Sequence, residues 1–330
     1  MTVTEAVEVL RAAGEPSRLR ILVLLAREEL AVMELCQIMD QSQPRVSRHL
    51  RLLTACGLVE RFPDGGWVFY RLAADPDRRA ILDRVLSLVD AHDPGLARDR
   101  DRLTAVRAER ASKAEAYFER NAPRWDQLRS LYVSEADVEA AILAAAPEGR
   151  IGRLIDLGAG SGRMLTLFAS RADTALGLDL SHQMLNIARV RVSEAGIDNA
   201  ELRHGDIFST GLPDAAADLV VVHQVLHYLG DPATAVVEAG RLVAPSGRLL
   251  IVDFAPHGLE YLREAHQHRR LGFTEDEMAR WLVSAGLRRP KVTTLPPKAP
   301  GGLTVKIWAA DRKAETVRGP STAFGGQLHP

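Results

Sequence analysis

The chain has 330 residues, of which 26% are charged and 46% are hydrophobic, and this length leaves room for two domains. Its 42 Lys and Arg residues balance 43 Asp and Glu residues, so no global electric field draws the protein to nucleic acid. The sequence has two cysteines, no signal peptide and no apolar run near the ~20 residues that span a bilayer. We therefore expect a cytoplasmic protein with reduced thiols.

The first 72 residues have the pattern of a compact unit of short helices followed by a hairpin. Apolar residues at helical spacing predict helices over three segments: Val7–Gly14, Ser17–Leu25 and Val32–Met39. A turn then leads into a fourth helix, in which Val46, Leu50 and Leu53 share one face and cations without any acid cover the rest. Two β segments that flank Pro63–Gly66 predict a hairpin.

This order of elements is the winged helix-turn-helix arrangement, whose second helix enters the major groove of DNA. The segments EPSRLRIL, SRHLRLL and GLVER resemble those of the ArsR family of regulators. The resemblance implies a homodimer on double-stranded operator DNA, and an alternative is a winged helix that makes only protein contacts. The candidate DNA-binding residues are Ser42, Gln43, Arg45, Ser47, Arg48, His49, Arg51, Arg61 and Arg71.

The cysteine pattern departs from that of the metal-sensing members of this family. Those members carry a Cys pair in the pattern E-L-C-x-C, whereas this chain keeps Cys36 and has Ile38 in the second position. Its other cysteine is Cys56, and one thiol cannot chelate a soft metal tightly. We therefore expect no metal site and no arsenite methylation.

A charged segment separates this unit from the rest of the chain. Apolar residues at spacings of three and four predict a helix over Pro76–Val89, which in ArsR proteins packs against its twin. Asp93–Gly95 breaks that helix, and Arg98–Arg102 alternates in charge, which favours a solvated helical spacer.

Three glycines at alternate positions form the most informative motif of the chain. The apolar run Ile151–Leu157 ends in Gly158, Gly160 and Gly162, and glycines let the backbone approach a ligand closely. Asp156 precedes the loop, which favours a ligand with an ammonium group over a pyrophosphate. The pattern resembles motif I of class I S-adenosylmethionine (SAM) methyltransferases; the alternative is a doubly wound fold whose glycines only permit tight packing.

Further segments match that family in order. Asp179 ends the next apolar run, where an acid can accept both ribose hydroxyls, and in the family an acid at the position of Asp206 reads the adenine amino group. Ala217–His223 is a β-branched run typical of a doubly buried strand, and Gln224–Pro232 is similar to the VLHHL-DP segment of small-molecule methyltransferases. Tyr117–Asp126 is similar to the segment that caps the cofactor pocket in that family, or is an aromatic pair packed on the sheet.

These resemblances imply an α/β chain. We expect an N-terminal winged helix-turn-helix (α+β) and a Rossmann-like class I methyltransferase domain with a seven-stranded, mostly parallel sheet. The expected boundaries are 1–90 for the DNA-binding and dimerisation domain, 91–114 for a charged helical linker, 115–312 for the methyltransferase domain and 313–330 for a disordered tail. The candidate SAM-binding residues are Asp156, Gly158, Ala159, Gly160, Gly162, Asp179, Leu180, Met184, Gly205, Asp206, Ile207 and His223.

Catalytic residues are less clearly marked, because methyl transfer mainly requires a positioned nucleophile and exclusion of water. The candidates at the carboxyl ends of strands are His223, His227 and Tyr228. Two functions stay open: a regulator that also methylates a small-molecule acceptor, or a repressor whose second domain only senses SAM or S-adenosylhomocysteine.

Overall fold

The structure is a computed structural model that describes residues 2–64, 67–73, 75–90, 92–121, 134–297 and 302–313. The expected disordered tail beyond residue 313, the turn glycines Gly65 and Gly66, and residues 122–126 of the expected cap lie outside the described residues.

The N-terminal unit has the predicted winged helix-turn-helix architecture. Its elements are α1 (Val3–Ala13), α2 (Pro16–Leu25), β1 (Leu30–Ala31), α3 (Val32–Met39), α4 (Gln43–Ala55), β2 (Val59–Asp64), β3 (Trp67–Leu72) and α5 (Pro76–Ser87). The strands form an antiparallel sheet in the order β1-β3-β2. α3 ends at Asp40 in the left-handed region, and Pro44 lies in the first turn of α4, where its missing N–H costs no hydrogen bond.

The predicted apolar face of α4 is the one that packs inward. Val46, Leu50 and Leu53 are buried in the core of the N-terminal unit, together with residues of α1, α2 and α3. Because the apolar face packs on the core, the opposite, polar face of α4 is exposed to solvent.

The helix that follows α5 differs from the solvated spacer that its charges favour. α6 spans Pro94–Asn121, and its residues Leu103 and Val106 belong to the core of the N-terminal unit. Asp99 is only 1% exposed and forms a bidentate ion pair with Arg20 of α2, with N–O distances of 2.5 and 2.6 Å. The alternating charges predicted a solvated helix, but one of the acids, Asp99, faces inward, where the Arg20 guanidinium neutralises it.

The C-terminal unit alternates strands with helices. Its elements are α7 (Glu135–Ala145), β4 (Ile151–Leu157), α8 (Arg163–Phe168), β5 (Ala172–Asp179), α9 (His182–Glu194), β6 (Ala200–His204), β7 (Ala217–His223), a short 3-10 helix (Leu226–Tyr228), α10 (Pro232–Leu242), β8 (Val243–Phe254), α11 (Tyr261–His266), α12 (Glu275–Ser284), β9 (Lys291–Leu295) and β10 (Val305–Asp311).

These strands form one seven-stranded sheet in the order β6-β5-β4-β7-β8-β10-β9. The pairs from β6 to β8 are parallel, and β10 runs antiparallel to both of its neighbours. The two faces of β7 alternate between two cores: Leu219 and Val221 face the side of α7 and α8, whereas Val220 and Val222 face α10 and α12. Burial on both faces explains why the central strands are continuous apolar runs, and the expected fold class is confirmed.

Candidate functional site

A cavity of about 650 Å³ lies at the carboxyl ends of the parallel strands. It sits beside β4, whose neighbours β5 and β7 lead in opposite directions along the sheet, the place where open α/β sheets bind ligands. The candidate cofactor residues that line it are Asp156, Gly158, Ala159, Gly160, Asp179, Leu180, Met184, Gly205, Asp206, Ile207 and His223. Gly162 is the remaining one and lies beneath the loop, where it is the N-cap of α8.

The glycines are required by the shape of the loop. Gly158, Gly160 and Gly162 all have φ between 52° and 78°, the left-handed region that strains residues with a Cβ. A Cβ on Gly158 would also overlap the side chain of Val225, and one on Gly162 would lie 3.0 Å from the Cβ of Ala188. The loop therefore presents bare backbone to the cavity on one side, at Gly158 and Gly160, and packs tightly against α9 on the other side, at Gly162.

Asp179 is held rigidly at the end of β5. Its two carboxylate oxygens accept hydrogen bonds from the backbone N–H groups of Gly160 and Ser181, each 2.8 Å long. Burial raises the pKa of this carboxyl, and the backbone hydrogen bonds oppose that shift. The side chain is thus fixed against the glycine loop and faces the cavity, where a ligand hydroxyl would find a preoriented acceptor.

The loop after β6 forms another wall of the cavity. Asp206 and Ile207 line the cavity, and the Asp206 carboxylate also accepts a hydrogen bond from the N–H of Phe208 at 2.9 Å. Glu238 of α10 anchors the far end of this loop, because it accepts from the N–H and the hydroxyl of Thr210 at 3.1 and 2.6 Å. Arg241 in turn pairs with Glu238 at 2.7 Å.

The three candidate catalytic residues are placed differently from one another. His223 and Tyr228 line the cavity. His227 does not: it is 2% exposed, its Nδ1 lies 2.8 Å from Oδ1 of Asp253, and its ring packs 4.1 Å from that of Tyr228. His227 therefore lies against Tyr228 with its imidazole held by Asp253, and its expected catalytic role stays a prediction.

The N-terminal unit supplies part of the cavity wall, which the sequence analysis missed. The residues concerned are Arg27 and Glu28, which follow α2, and Thr104, Arg107 and Ala108 of α6. The Arg107 guanidinium pairs at 3.0 Å with Glu28, whose side chain is only 3% exposed. No local signal distinguishes these residues from solvated ones, because their role depends on how the two units dock.

Apart from the cavity, the N-terminal unit has a polar surface on the outer face of α4. Arg45, Arg48 and Arg51 are exposed there together with Ser42 and Gln43, and Ser47 is half-buried. Arg61 is exposed on β2, in the hairpin. These residues form a cationic face beside the wing.

His49 and Arg71 are placed apart from that face. Nδ1 of His49 lies 3.5 Å from a carboxylate oxygen of Glu15, and burial lowers the pKa of its imidazole. Arg71 contacts three carboxylates, those of Glu60 at 2.9 Å and of Glu29 and Glu277 at 3.4 Å. Its guanidinium therefore joins two carboxylates of the N-terminal unit to Glu277 of the other unit, and its expected contact with DNA stays a prediction.

Cys36 and Cys56 are free thiols, both half-buried. Within the described residues, no group of three or more His, Cys, Asp or Glu side chains is arranged to hold a metal ion. A search of the same residues finds no helix that is both long enough and apolar enough to cross a membrane.

The fold and the cavity define a protein that joins a winged helix to a methyltransferase-type sheet. Residues 15–61 match the family described as bacterial regulatory protein, arsR family, and residues 155–251 match the family described as methyltransferase domain. The chain belongs to the ArsR family through its N-terminal unit and to the methyltransferase family through its C-terminal unit.

Relatives match the two units separately. The arsenic resistance transcriptional regulator ArsR1 of Pseudomonas putida is 38% identical over 100 residues, which cover 30% of this chain and 77% of that protein. The phosphatidylethanolamine N-methyltransferase of Cereibacter sphaeroides is 32% identical over 166 residues, covering 48% of this chain and 80% of that enzyme. The uncharacterized methyltransferase YcgJ of Bacillus subtilis is 30% identical over 105 residues, and this match spans 32% of the chain and only 42% of the relative.

A solved structure shares the fold of the C-terminal unit. A chain in the complex of the Haloferax volcanii Trm112 methyltransferase activator with a methyltransferase superposes with a TM-score of 0.50 at 17% identity. The match covers 59% of this chain and 97% of that chain. At this level of identity the likeness establishes the fold alone.

The anchor of the cavity loop predicts a pH-dependent stability. Hydrogen bonds from Arg241, and then from Thr210, lower the pKa of Glu238 from 4.5 to about 2, against the opposing effect of burial. A carboxyl with a lowered pKa in the folded state stabilises the protein above pH 4.5, and this contribution is lost as the pH falls toward 2. We expect Glu238→Gln to reduce the free energy of unfolding by about 1–2 kcal/mol at pH 7, after a discount for solvent screening.

Urea denaturation at pH 7, 5 and 3 measures this effect. The difference between wild type and variant should shrink toward pH 3, and the matched control Glu194→Gln, at the exposed end of α9, should show no difference at any of these pH values. A loss of stability that is the same at pH 3 as at pH 7 would contradict the role of the ionised carboxylate.

Proposed function

We propose that this protein is an ArsR-type transcriptional regulator whose methyltransferase domain binds SAM, methylates a small-molecule acceptor and sets the affinity of the winged helix for operator DNA. The observation that carries the proposal is the cavity itself, because the glycine loop and residues of the N-terminal unit line the same space. A ligand in that space touches both units at once.

The chemistry of the cavity fits SAM. Bare backbone at Gly158 and Gly160 admits a close ligand, and a Cβ at Gly158 would overlap the side chain of Val225 in the cavity wall. Asp179 offers an oriented acceptor for ribose hydroxyls, and Asp206 is placed for an adenine amino group. Asp156, buried at the end of β4, supports an ammonium group near the loop.

The rest of the cavity supports an acceptor site. It continues beyond the loop to Tyr228, Leu229 and Thr234, and its volume of about 650 Å³ is in the middle of the range of roughly 300–1,000 Å³ for ligand sites. When bound, SAM would supply an electrophilic methyl group. Tyr228 would then orient the nucleophile of the acceptor through a hydrogen bond of its phenol, with its ring held in place by His227, which Asp253 fixes in turn.

The alternative function is that of a sensor, in which SAM or S-adenosylhomocysteine controls the repressor and no methyl group is transferred. The wall formed by Thr104, Arg107 and Ala108 favours a link to the winged helix in both cases. The presence of Tyr228, Leu229 and Thr234 in the cavity lining favours the enzyme, because a sensor of the cofactor alone needs no wall for a methyl acceptor.

The DNA-binding role rests on the exposed face of α4. Arg45, Arg48 and Arg51 point away from the core, and arginine forks suit both phosphates and guanine edges. In a homodimer, two such helices would read a pseudo-palindromic operator whose half-sites lie one helical turn apart.

The central prediction is a ligand-dependent operator affinity. Using a DNA fragment from upstream of its own gene, we expect the dissociation constant to differ by about 5–150-fold between the free protein and the protein saturated with SAM or S-adenosylhomocysteine. By linkage, saturating operator should change the affinity for S-adenosylhomocysteine by the same factor. Identical operator affinities in all three states would show that the two domains are merely tethered.

A methyl-transfer assay on the same protein distinguishes the enzyme from the sensor. Incubation with SAM and a small-molecule extract of the native cells should produce S-adenosylhomocysteine for an enzyme, in amounts that fall when Tyr228 is replaced by Phe. A sensor would leave SAM unchanged in this assay while keeping its effect on operator binding.

The cofactor assignment predicts the effect of Asp179→Ala. Removing an ionised acceptor of two ribose hydrogen bonds should cost roughly 1.5–3 kcal/mol, which weakens S-adenosylhomocysteine binding by about 10–150-fold. Calorimetry should find wild-type affinity in Asp173→Ala, a matched change on the same strand at an exposed ion pair. Equal affinities of the Asp179 variant and the wild type would refute the assignment.

The DNA-binding assignment predicts the effect of Arg48→Ala. The variant should lose about 1–3 kcal/mol of operator affinity if the guanidinium reads a base, and less if it meets only a phosphate. Arg189→Ala, an exposed change on α9 of the other domain, should bind operator as the wild type does. Sequence-independent binding without a footprint in the upstream fragment would contradict the proposal.

A further inference from the structure

The basic segment His266–Arg270 lies where the two units meet. Its hydrogen bonds and ion pairs connect both units. The backbone N–H groups of Arg269 and Arg270 both donate to the carbonyl oxygen of His227, at 2.8 and 3.0 Å. The segment is therefore tied directly to the residue that precedes Tyr228 in the cavity wall.

Arg269 contacts three parts of the molecule at once. It is one of the residues that line the cavity. Its guanidinium forms a bidentate ion pair with Glu34 of α3, at 2.8 and 3.1 Å, and lies 5.3 Å from the ring centroid of Phe69 in β3. Both charged side chains are nearly buried, with 11% and 12% of their surface exposed, so solvent screens the pair weakly.

Glu34 is well placed to pass a change on to the DNA-reading helix. It lies in the first turn of α3, where its carboxylate also accepts a hydrogen bond from the N–H of Ala31 at 2.8 Å and so caps the helix. α3 packs directly against α4, whose exposed face carries Arg45, Arg48 and Arg51. A shift of α3 relative to the methyltransferase domain would therefore move α4.

Arg270 fixes the adjoining part of the same contact. It pairs with Glu29 at 2.7 Å and with Glu277 at 2.9 Å, and it lies 5.0 Å from the ring centroid of Phe62 in β2. These contacts hold the end of the segment against the wing and against Glu29 of the N-terminal unit. Arg269 differs from Arg270 in that it also lines the cavity, so it is the arginine of the pair that a ligand can reach.

We propose that the ion pair between Arg269 and Glu34 is the route by which the ligand in the cavity controls the DNA-reading helix. The inference rests on the proposed function and names its mechanism. A ligand shifts a conformational equilibrium only when it contacts the two conformations differently. Arg269 meets this condition, because a ligand that contacts this cavity residue acts on the ion pair that holds α3, and operator DNA acts on the same pair through α4 and α3.

The test measures coupling in full-length Glu34→Gln. Glutamine keeps an oxygen to cap Ala31 but removes the charge that binds Arg269, and Glu34 lies outside both the cavity lining and the exposed face of α4. The operator dissociation constant is measured with and without saturating S-adenosylhomocysteine, and the ratio is the coupling factor. We expect at least 5-fold coupling in the wild type and less than 2-fold in the variant, with S-adenosylhomocysteine affinity in the absence of DNA unchanged.

Two further variants make the result decisive. Glu201→Gln removes the charge from an exposed ion pair with Arg203 and should keep wild-type coupling. Arg269→Lys keeps the charge but loses the bidentate geometry, and it should reduce coupling to an intermediate value. A folded Glu34→Gln protein, checked by its thermal transition, that retains wild-type coupling would overturn this inference while leaving the proposed function intact. A coupling factor of one in the wild type would overturn both.

Discussion

The structure depends on a cluster of alternating charges that joins the two domains. Arg270 lies between Glu29 and Glu277, and Arg71 contacts the same two carboxylates from the side of the wing. Burial raises the pKa of Glu29, and the two arginines act against that shift, so desolvation outweighs attraction at this carboxyl. Such a cluster adds little to stability, because the cost of dehydrating charges cancels much of the Coulomb energy. What it provides is orientation, since this docking of the domains brings all four charged side chains into ion pairs.

That orientation makes the cavity a joint product of both domains. The glycine loop, Asp179 and Asp206 are positioned by the sheet alone, whereas Glu28, Thr104 and Arg107 reach the same space only because the N-terminal unit is docked over it. α6 contributes to both sides of this arrangement. Its apolar residues Leu103 and Val106 are buried in the N-terminal core, and Thr104, Arg107 and Ala108 of the same helix line the cavity. The winged helix and the methyltransferase domain therefore share a wall as well as a chain.

The parts that sequence could predict are those fixed within one element or one sheet. Asp156, Asp179 and Asp206 lie at or just beyond the carboxyl ends of successive strands, and because those ends meet at one edge of a parallel sheet, their convergence could be inferred from chain order. The burial of Val46, Leu50 and Leu53 followed from helical spacing. Domain docking has no such periodic signature. For that reason the sequence did not reveal that Arg107 lines the cavity or that Arg71 contacts Glu277 of the other unit. The pairing of His227 with Asp253 of β8 also has no local signal, because the two residues are far apart in the chain.

The shared wall has a thermodynamic consequence. A ligand enclosed by the methyltransferase domain alone would bind equally well whatever the position of the winged helix, and would shift nothing however tight its binding. A ligand that also touches Arg107 or Arg269 binds more tightly to one docking than to another, and that difference in free energy is the whole of the available control. A moderate control of 5–150-fold requires only 1–3 kcal/mol of such differential contact, about the value of one or two hydrogen bonds to a charged group. The few N-terminal side chains in the cavity wall are therefore sufficient to make DNA affinity respond to the contents of the cavity.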